Sequence, residues 1–555
     1  MVIIILLMNR YLKRTFVLLG LTFVFTKSNA QNAFLNSLQL ADAKRVSSLL
    51  DSSEPNSPSY FLRFGMDTTI WKAPKKNNIK FILNQVTATI QNNSQLTTGY
   101  NDGSMIPSVG IQQMYSVGMD FFWKKIQLHL QPEFIKADNL QPDGMFWDYN
   151  QENYWSRLYA KQINIIDNPE RFGVNKFQQV FPGQSSLLFN HKDFSVGFST
   201  ENIWWGPGVY HSLLFTNNAP GFFHFTFQTR KPLKTPIGSF EMHMITGQLD
   251  ASGYEPPENS NPNAAPYYIA KKNDPRLLTG VHVNYQPKWV RNLYVGISTV
   301  SYMYDKDMKT ILNYLPFDQL LYKYDKRASL GSISVRYAMP KDHAEIYFEY
   351  GRDDRFASPS NLVKDTIPYG YVGGLRKLFP LKKNRGAIAV HLEVVHLQMP
   401  DARLIFDQSN DGLMSRPTSW YTHPSIREGF TQLGQVLGSA AGPGGGAQVI
   451  NLSWVKNLNK IGFQFERKLH NADFYYYNYF QGLVYPGPNF KYYTELGYSF
   501  NFRFQIKKFI IAGEVKNISS LNNKWIKIGE GEMWGPSTLS DKQNIQSVFS
   551  IQYRF

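Results

Sequence analysis

Between Leu496 and Ile506 the chain alternates without a break. Leu496, Tyr498, Phe500, Phe502, Phe504 and Ile506 stand on one side, and Gly497, Ser499, Asn501, Arg503 and Gln505 on the other. A period of two sends successive side chains to opposite faces of a β-strand, so all six apolar residues share one face. The pattern recurs at Phe240, Met242 and Met244 around Glu241 and His243, and at Val281, Val283 and Tyr285 around His282 and Asn284. It returns at Ile333, Val335 and Tyr337 around Ser334 and Arg336, and at Ile388, Val390, Leu392 and Val394 around Ala389, His391 and Glu393. From Tyr60 onward this alternation dominates. Such a sheet has two homes: a soluble sandwich, where the apolar face meets a core, or a membrane barrel, where it meets lipid and the polar face lines a lumen. Periodicity alone does not separate them.

The two ends of the sequence favour the barrel. Phe549, Ile551, Tyr553 and Phe555 alternate with Ser550, Gln552 and Arg554. A last strand ending on phenylalanine is what barrel closure needs, and it resembles the C-terminal signal read by the assembly machinery of the bacterial outer membrane. At the other end, Arg10, Lys13 and Arg14 precede an apolar run from Phe16 to Phe25, followed by Ser28-Asn29-Ala30. This is the order of a cleaved secretory signal, with Met1 or Met8 as the start. The expected organisation is a signal peptide over 1–30, a periplasmic helical segment over 31–58 and a transmembrane barrel over 59–555. In the second of these, Leu35, Leu38, Val46, Leu49 and Leu50 have helical spacing before Ser52 to Pro58 breaks it. Strand-end tyrosine and tryptophan, in a chain that is 15% aromatic, suit interfacial girdles.

The formal charge of +16 includes four signal cations, so the mature chain carries +12. In an exported protein that balance suits acidic polysaccharide or lipid headgroups rather than nucleic acid. The absence of cysteine excludes a disulfide scaffold. No later apolar run is long enough for a transmembrane helix. At about ten residues per strand, roughly sixteen to eighteen strands fit. Candidate loops follow Gly/Pro/Asn clusters at Asn92–Pro107, Asp138–Tyr154, Ser252–Pro266, Asp353–Pro368, Asp401–Pro424 and Gly438–Gly446.

Catalytic patterns are weak. Gly442-Pro443-Gly444-Gly445-Gly446 lacks the lysine and hydroxyl of a phosphate loop and reads as a turn. His391, His396 and His423 have no metal-site spacing. His211-Ser212 are sequence neighbours that point apart on a strand. Glu345, Tyr347 and Glu349 share a strand face, which a polar lumen wall explains. No catalytic residue, metal or cofactor is expected. The densest stretch is Glu201 to Phe222, where Trp204 and Trp205 meet Gly206-Pro207-Gly208 and Asn217-Asn218 precede Ala219-Pro220-Gly221. Trp faces stack on sugar rings and amides bond hydroxyls, while Arg427 could pair with acidic groups. The competing reading makes the tryptophans girdle anchors and the asparagines turn caps.

Several short motifs then fall into a recognisable order: YNDG (100–103), QPEF (131–134), DNPERFG (167–173), PGQSS (182–186), NIWWGPG (202–208), TNNAPGF (216–222), EIYFEYGRDD (345–354), WYTH (420–423), REGFTQLGQVLG (427–438) and AGPG (441–444). In this order the chain resembles the Wzi family of outer-membrane capsule-assembly proteins, in the form found in Bacteroidetes. The resemblance implies a barrel of about eighteen strands, an N-terminal periplasmic helical element and a non-enzymatic, lectin-like role in retaining capsular polysaccharide. The expected fold is therefore an all-β, antiparallel outer-membrane β-barrel. The expected polysaccharide-binding residues are Trp204, Trp205, Asn217, Asn218 and Arg427. The expected partners are surface polysaccharide of acidic character, outer-membrane lipid and, during biogenesis, the barrel assembly machinery. No nucleic acid is expected, and the barrel is expected to be monomeric. The alternative function is an outer-membrane channel or secretion-associated pore.

Overall fold

The computed structural model describes residues 37–50, 61, 79–143, 152–316, 326–353, 368–399, 419–475, 492–525, 527–528 and 538–555. The signal-peptide expectation and the loop Asp353–Pro368, apart from its two ends, lie outside these residues. Twenty-one strand segments join in one antiparallel sheet. Three strands are interrupted, Ile126–Leu130 continuing as Glu133–Ala137, Phe177–Phe181 as Ser186–His191 and His224–Thr229 as Leu233–Thr235. The segments therefore make eighteen strands. The strand Lys80–Asn93 pairs with Lys542–Arg554 from Gln85↔Arg554 to Asn93↔Gln546, which closes the barrel and leaves no edge.

The alternation resolves as apolar outward. Tyr498 and Phe500 are 57% and 40% exposed, while Ser499 and Arg503 between and beyond them are 5% and 8% exposed. Along Ala387–His396, Leu392 and Val394 face out, and His391 and Glu393 are buried within. This inversion of a soluble sheet is the signature of a wall that meets lipid. No described helix is long and apolar enough to cross a membrane.

The two rims differ. At one rim the strands are joined by turns of two to six residues, such as Lys124–Lys125 and Lys507–Lys508. At the other, consecutive strands of the barrel are at least fifteen residues apart, the nearest pair being Ala344–Asp353 and Tyr369–Pro380. The helix Ser37–Leu50 lies inside the wall at the turn rim. Val46 and Leu49 pack on Ala338, Leu378, Ala387, Ala389 and Val455. Arg45 Nε donates to both oxygens of Glu345 at 2.8 and 2.7 Å, and its Nη1 donates to the Pro207 carbonyl at 2.5 Å. Arg336 Nε also donates to Glu345, at 2.8 Å, and Arg376 Nη2 donates to Asp42 at 2.6 Å. Buried charges require this kind of mutual satisfaction, because desolvation outweighs any single pair.

The lumen is not empty. Two loops, 200–223 and the described part of 397–445, fold inward and build an apolar core with the wall. Trp205, Leu213, Leu214, Phe215, Trp420 and Phe430 are among its members, meeting inward residues such as Leu278, Val300 and Val372. A loop inside a barrel must find partners for its backbone donors. Glu393 supplies them for Val209, Tyr210 and His211, accepting at 2.6, 3.0 and 2.7 Å. Glu349 accepts from Leu213 N at 3.2 Å and from Ser332 Oγ at 2.9 Å. The turn after Trp205 needs glycine: Gly206 has φ of 120°, and a Cβ there would lie 2.6 Å from Ser212 Oγ and 2.8 Å from Glu349.

Candidate functional site

Above this core, at the loop rim, the loops enclose a cavity of about 260 Å³. Its floor includes Ile166, Val436 and Ala441, which belong to the lumen core beneath. One side is formed by the helix Glu152–Lys161, whose Tyr154 and Leu158 face the cavity and whose Trp155 and Tyr159 join an aromatic cluster with Phe474 and Trp525. Tyr493 packs against the same cluster, stacked on His470 at 4.0 Å and 10° and edge-on to Trp525 at 5.5 Å. Tyr254 contributes a further ring. Flat apolar faces thus sit beside amides from Gln162, Asn168, Asn218 and Asn471.

The charges of the wall are mostly committed. Asp167 accepts from Ser252 N and Oγ at 2.6 and 2.7 Å. Glu170 is paired with Lys524, and Glu495 with His470 at 3.2 Å. Burial draws the Lys524 ammonium down, but Glu170 and Glu258 beside it outweigh this and hold it above its ordinary value. Burial pushes the Glu258 carboxyl up, against the opposing pull of Lys524. Lys271 is drawn down by burial and donates to the Ile163 carbonyl at 2.9 Å. Lys468, at the outer end of the strand Asn459–Leu469, also lines the cavity. It makes no hydrogen bond or ion pair among the described residues, but the Glu495 carboxylate of its cross-strand partner and Glu466 are near enough to feel its charge.

The five residues singled out from sequence are spread over three places. Trp204 and Trp205 are 1% and 0% exposed. Trp205 Nε1 donates to His243 Nδ1 at 3.0 Å, and its ring meets Phe215 edge-on at 5.0 Å. Both tryptophans are therefore lumen residues, with no face offered at the surface or to lipid. Asn217 is half-buried, and its carbonyl accepts from Gly103 N at 2.7 Å. Asn218 lines the cavity and donates from Nδ2 to the Val436 carbonyl at 3.0 Å. Arg427 lies underneath, bonding the carbonyls of Asn164 at 2.9 Å, Ala270 at 2.8 Å and Ile269. It clamps loop backbone through one bond from each of its three nitrogens. Of the five, only Asn218 reaches the cavity.

The other constellations are structural. His211 Nδ1 meets Ser439 Oγ at 2.9 Å, while Ser212 Oγ donates to the Trp205 carbonyl, so the two side chains serve different partners. Glu345 and Glu349 hold the helix and the inward loop. Tyr154, Tyr493, Trp525 and Lys468 were not singled out from sequence. Of the four, only Tyr154 falls in a candidate loop, Asp138–Tyr154, and an aromatic or lysine near a strand end is a signal shared by many positions.

The sequence profile of the family described as capsule assembly protein Wzi matches residues 92–516. Among curated proteins, none matches the chain. Among solved structures, the Escherichia coli outer-membrane protein Wzi, described as a carbohydrate-binding β-barrel involved in group 1 capsule assembly, is similar in fold. It is 13% identical, with a TM-score of 0.54 over 85% of each chain. An Acinetobacter baumannii barrel, OccAB2, matches at 9% identity and a TM-score of 0.39, over 85% of this chain and 98% of that one. A BenF-like porin from Pseudomonas fluorescens matches at 8% identity and a TM-score of 0.39, over 86% and 98%. With a profile match across three-quarters of its length and a closed eighteen-strand barrel, the chain belongs to the Wzi capsule-assembly family.

Proposed function

We propose that this protein is an outer-membrane barrel that binds polysaccharide in the loop-rim cavity and so retains or organises capsular or exopolysaccharide at the cell surface. The observation that carries this reading is the cavity itself: aromatic faces, amides and an ammonium with no hydrogen bond of its own among the described residues, set above a lumen closed by its own core. Stacking and amide contacts suit sugar rings and hydroxyls, and Lys468 suits a uronate or other acidic substituent. Family membership and the carbohydrate binding described for E. coli Wzi support the same class of ligand. The role is non-enzymatic. The barrel acts as a monomer in outer-membrane lipid, to which the assembly machinery delivers it, and nucleic acid plays no part.

Deleting the gene and measuring cell-bound and released polysaccharide side by side tests the role. Loss from the surface with accumulation in the medium is the expected result; unchanged amounts in both fractions would overturn it. Complementation with a Tyr493→Ala and Lys468→Ala double variant tests the site, with the same release expected at normal barrel levels.

A further inference from the structure

A second surface lies outside the barrel, at the loop rim. The strands Gly238–Leu249, Arg276–Pro287 and Leu293–Tyr304 run side by side there. By alternation with the buried lumen residues His243, Ile245, Leu278 and Val300, their outward residues near this rim include Thr246, Leu277, Thr279, Ser301 and Met303. A lipid-facing position should read as exposed in the protein alone, as Ile297 does lower on the same wall at 52%. Yet Leu277, Thr279, Ser301 and Met303 are all buried. The described part of the loop after Tyr304 comes back to this wall: Thr246 Oγ1 donates to the Tyr314 carbonyl at 2.7 Å. Residues Ile311–Tyr314 form a single 3₁₀ turn, started by a capping box between Thr310 and Asn313.

This strap turns its polar residue inward and its apolar residues away from the protein. Asn313 is buried, while Ile311, Leu312, Tyr314 and Leu315 are 82%, 43%, 46% and 50% exposed. Four adjacent exposed apolar side chains would be a liability in water. They lie against the apolar wall and continue it: Thr246 pairs with Phe225, which is itself exposed and packs edge-on to Phe198 at 5.8 Å. From this geometry we propose that Ile311–Leu315 is a lipid-docking strap, seated among the acyl chains of the outer leaflet with Tyr314 at the interface. Its continuity with the lipid-facing band selects lipid over water or a second protein as the occupant.

The chain has no cysteine, so single labels are clean. Ile311→Cys, Ile297→Cys on the mid-wall lipid face and Glu255→Cys in an exposed outer loop would each carry a nitroxide. The full barrels would be reconstituted in phosphatidylcholine vesicles, after heat-dependent gel mobility confirms folding. Collision with oxygen, which partitions into lipid, would be compared with collision with a water-soluble nickel chelate. The expected result at 311 is the oxygen-rich, nickel-poor signature of position 297. A nickel-accessible label matching position 255 would overturn the proposal, as would a label shielded from both reagents, which would mean protein covers the strap. Leu315→Cys is the second site, read in the same way, should the label at 311 prevent folding.

Discussion

At the residue scale, chemistry and location come apart. Trp204 and Trp205 have the chemistry of sugar-stacking residues, but they are packed into the lumen. Truncating Trp205 to alanine is expected to cost about 3–5 kcal/mol of stability, as for other large buried aromatics, read as a lower unfolding midpoint in detergent. Lys468→Ala is expected to do the reverse, leaving the midpoint unchanged. It should weaken binding of an acidic polysaccharide about tenfold, the worth of one charge-assisted hydrogen bond, and flatten the salt dependence of binding. A loop carboxylate gives a pH test. Burial pushes the Asp102 carboxyl up to about 6, although it accepts from Tyr100 N at 3.0 Å. A carboxyl with a raised folded-state pKa stabilises below its unfolded value of 3.8 and loses that contribution as pH rises through about 6. Amide exchange in the loop 94–109, corrected for intrinsic rate, should therefore show weaker protection at pH 7 than at pH 5. Asp102→Asn should remove the difference. None of these environments was legible from residue type. Arg427 in sequence is a cation beside a Gly-rich motif, and only the fold shows its three bonds to carbonyls. Asn218 reaches the cavity because it bonds the carbonyl of Val436, which is part of the floor.

At the element scale the sequence carried more. Alternation marked the strands, and the outward direction of the apolar face followed from the two chain ends rather than from the period. Helical spacing marked the N-terminal segment, and the helix Ser37–Leu50 occurs within it. The direction of the loops was hidden. Glu201 to Phe222 has the Gly, Pro and Asn content of any outer loop, and the acceptors that draw it inward, Glu349 and Glu393, stand well over a hundred residues away on the wall. The same long-range logic fixes the helix. Arg45→Ala removes one partner from Glu345 but leaves Arg336 and Arg376. The loss should fall at the low end of the about 3–5 kcal/mol typical of breaking a buried ion pair. It should appear as faster amide exchange confined to residues 41–50. Uniformly faster exchange across the barrel would mean that the cluster supports the wall rather than the helix.

At the scale of the whole molecule, an eighteen-strand wall is wide enough to enclose a water-filled channel when nothing fills it. Here the N-terminal helix occupies the turn rim, and an apolar core of loop and wall residues fills the section below the cavity. Ions crossing such a core would have to shed hydration without replacement ligands. Reconstituted in planar bilayers, the intact protein is therefore expected to be silent or nearly so, and steady large conductance would favour the pore reading over the binding one. Glu393 and Glu349 hold the inward loop through four backbone donors, and a glutamine at each position replaces one accepting oxygen by an NH2 that can only donate. Glu393→Gln with Glu349→Gln should give brief openings in a barrel whose strands, and hence whose resistance to heat in gel mobility, are intact. Openings in the double variant with silence in the parent would identify the loop as the closure. If both stay silent, the helix at the turn rim is sufficient to seal the barrel, and adding Arg45→Ala to the pair should then open it.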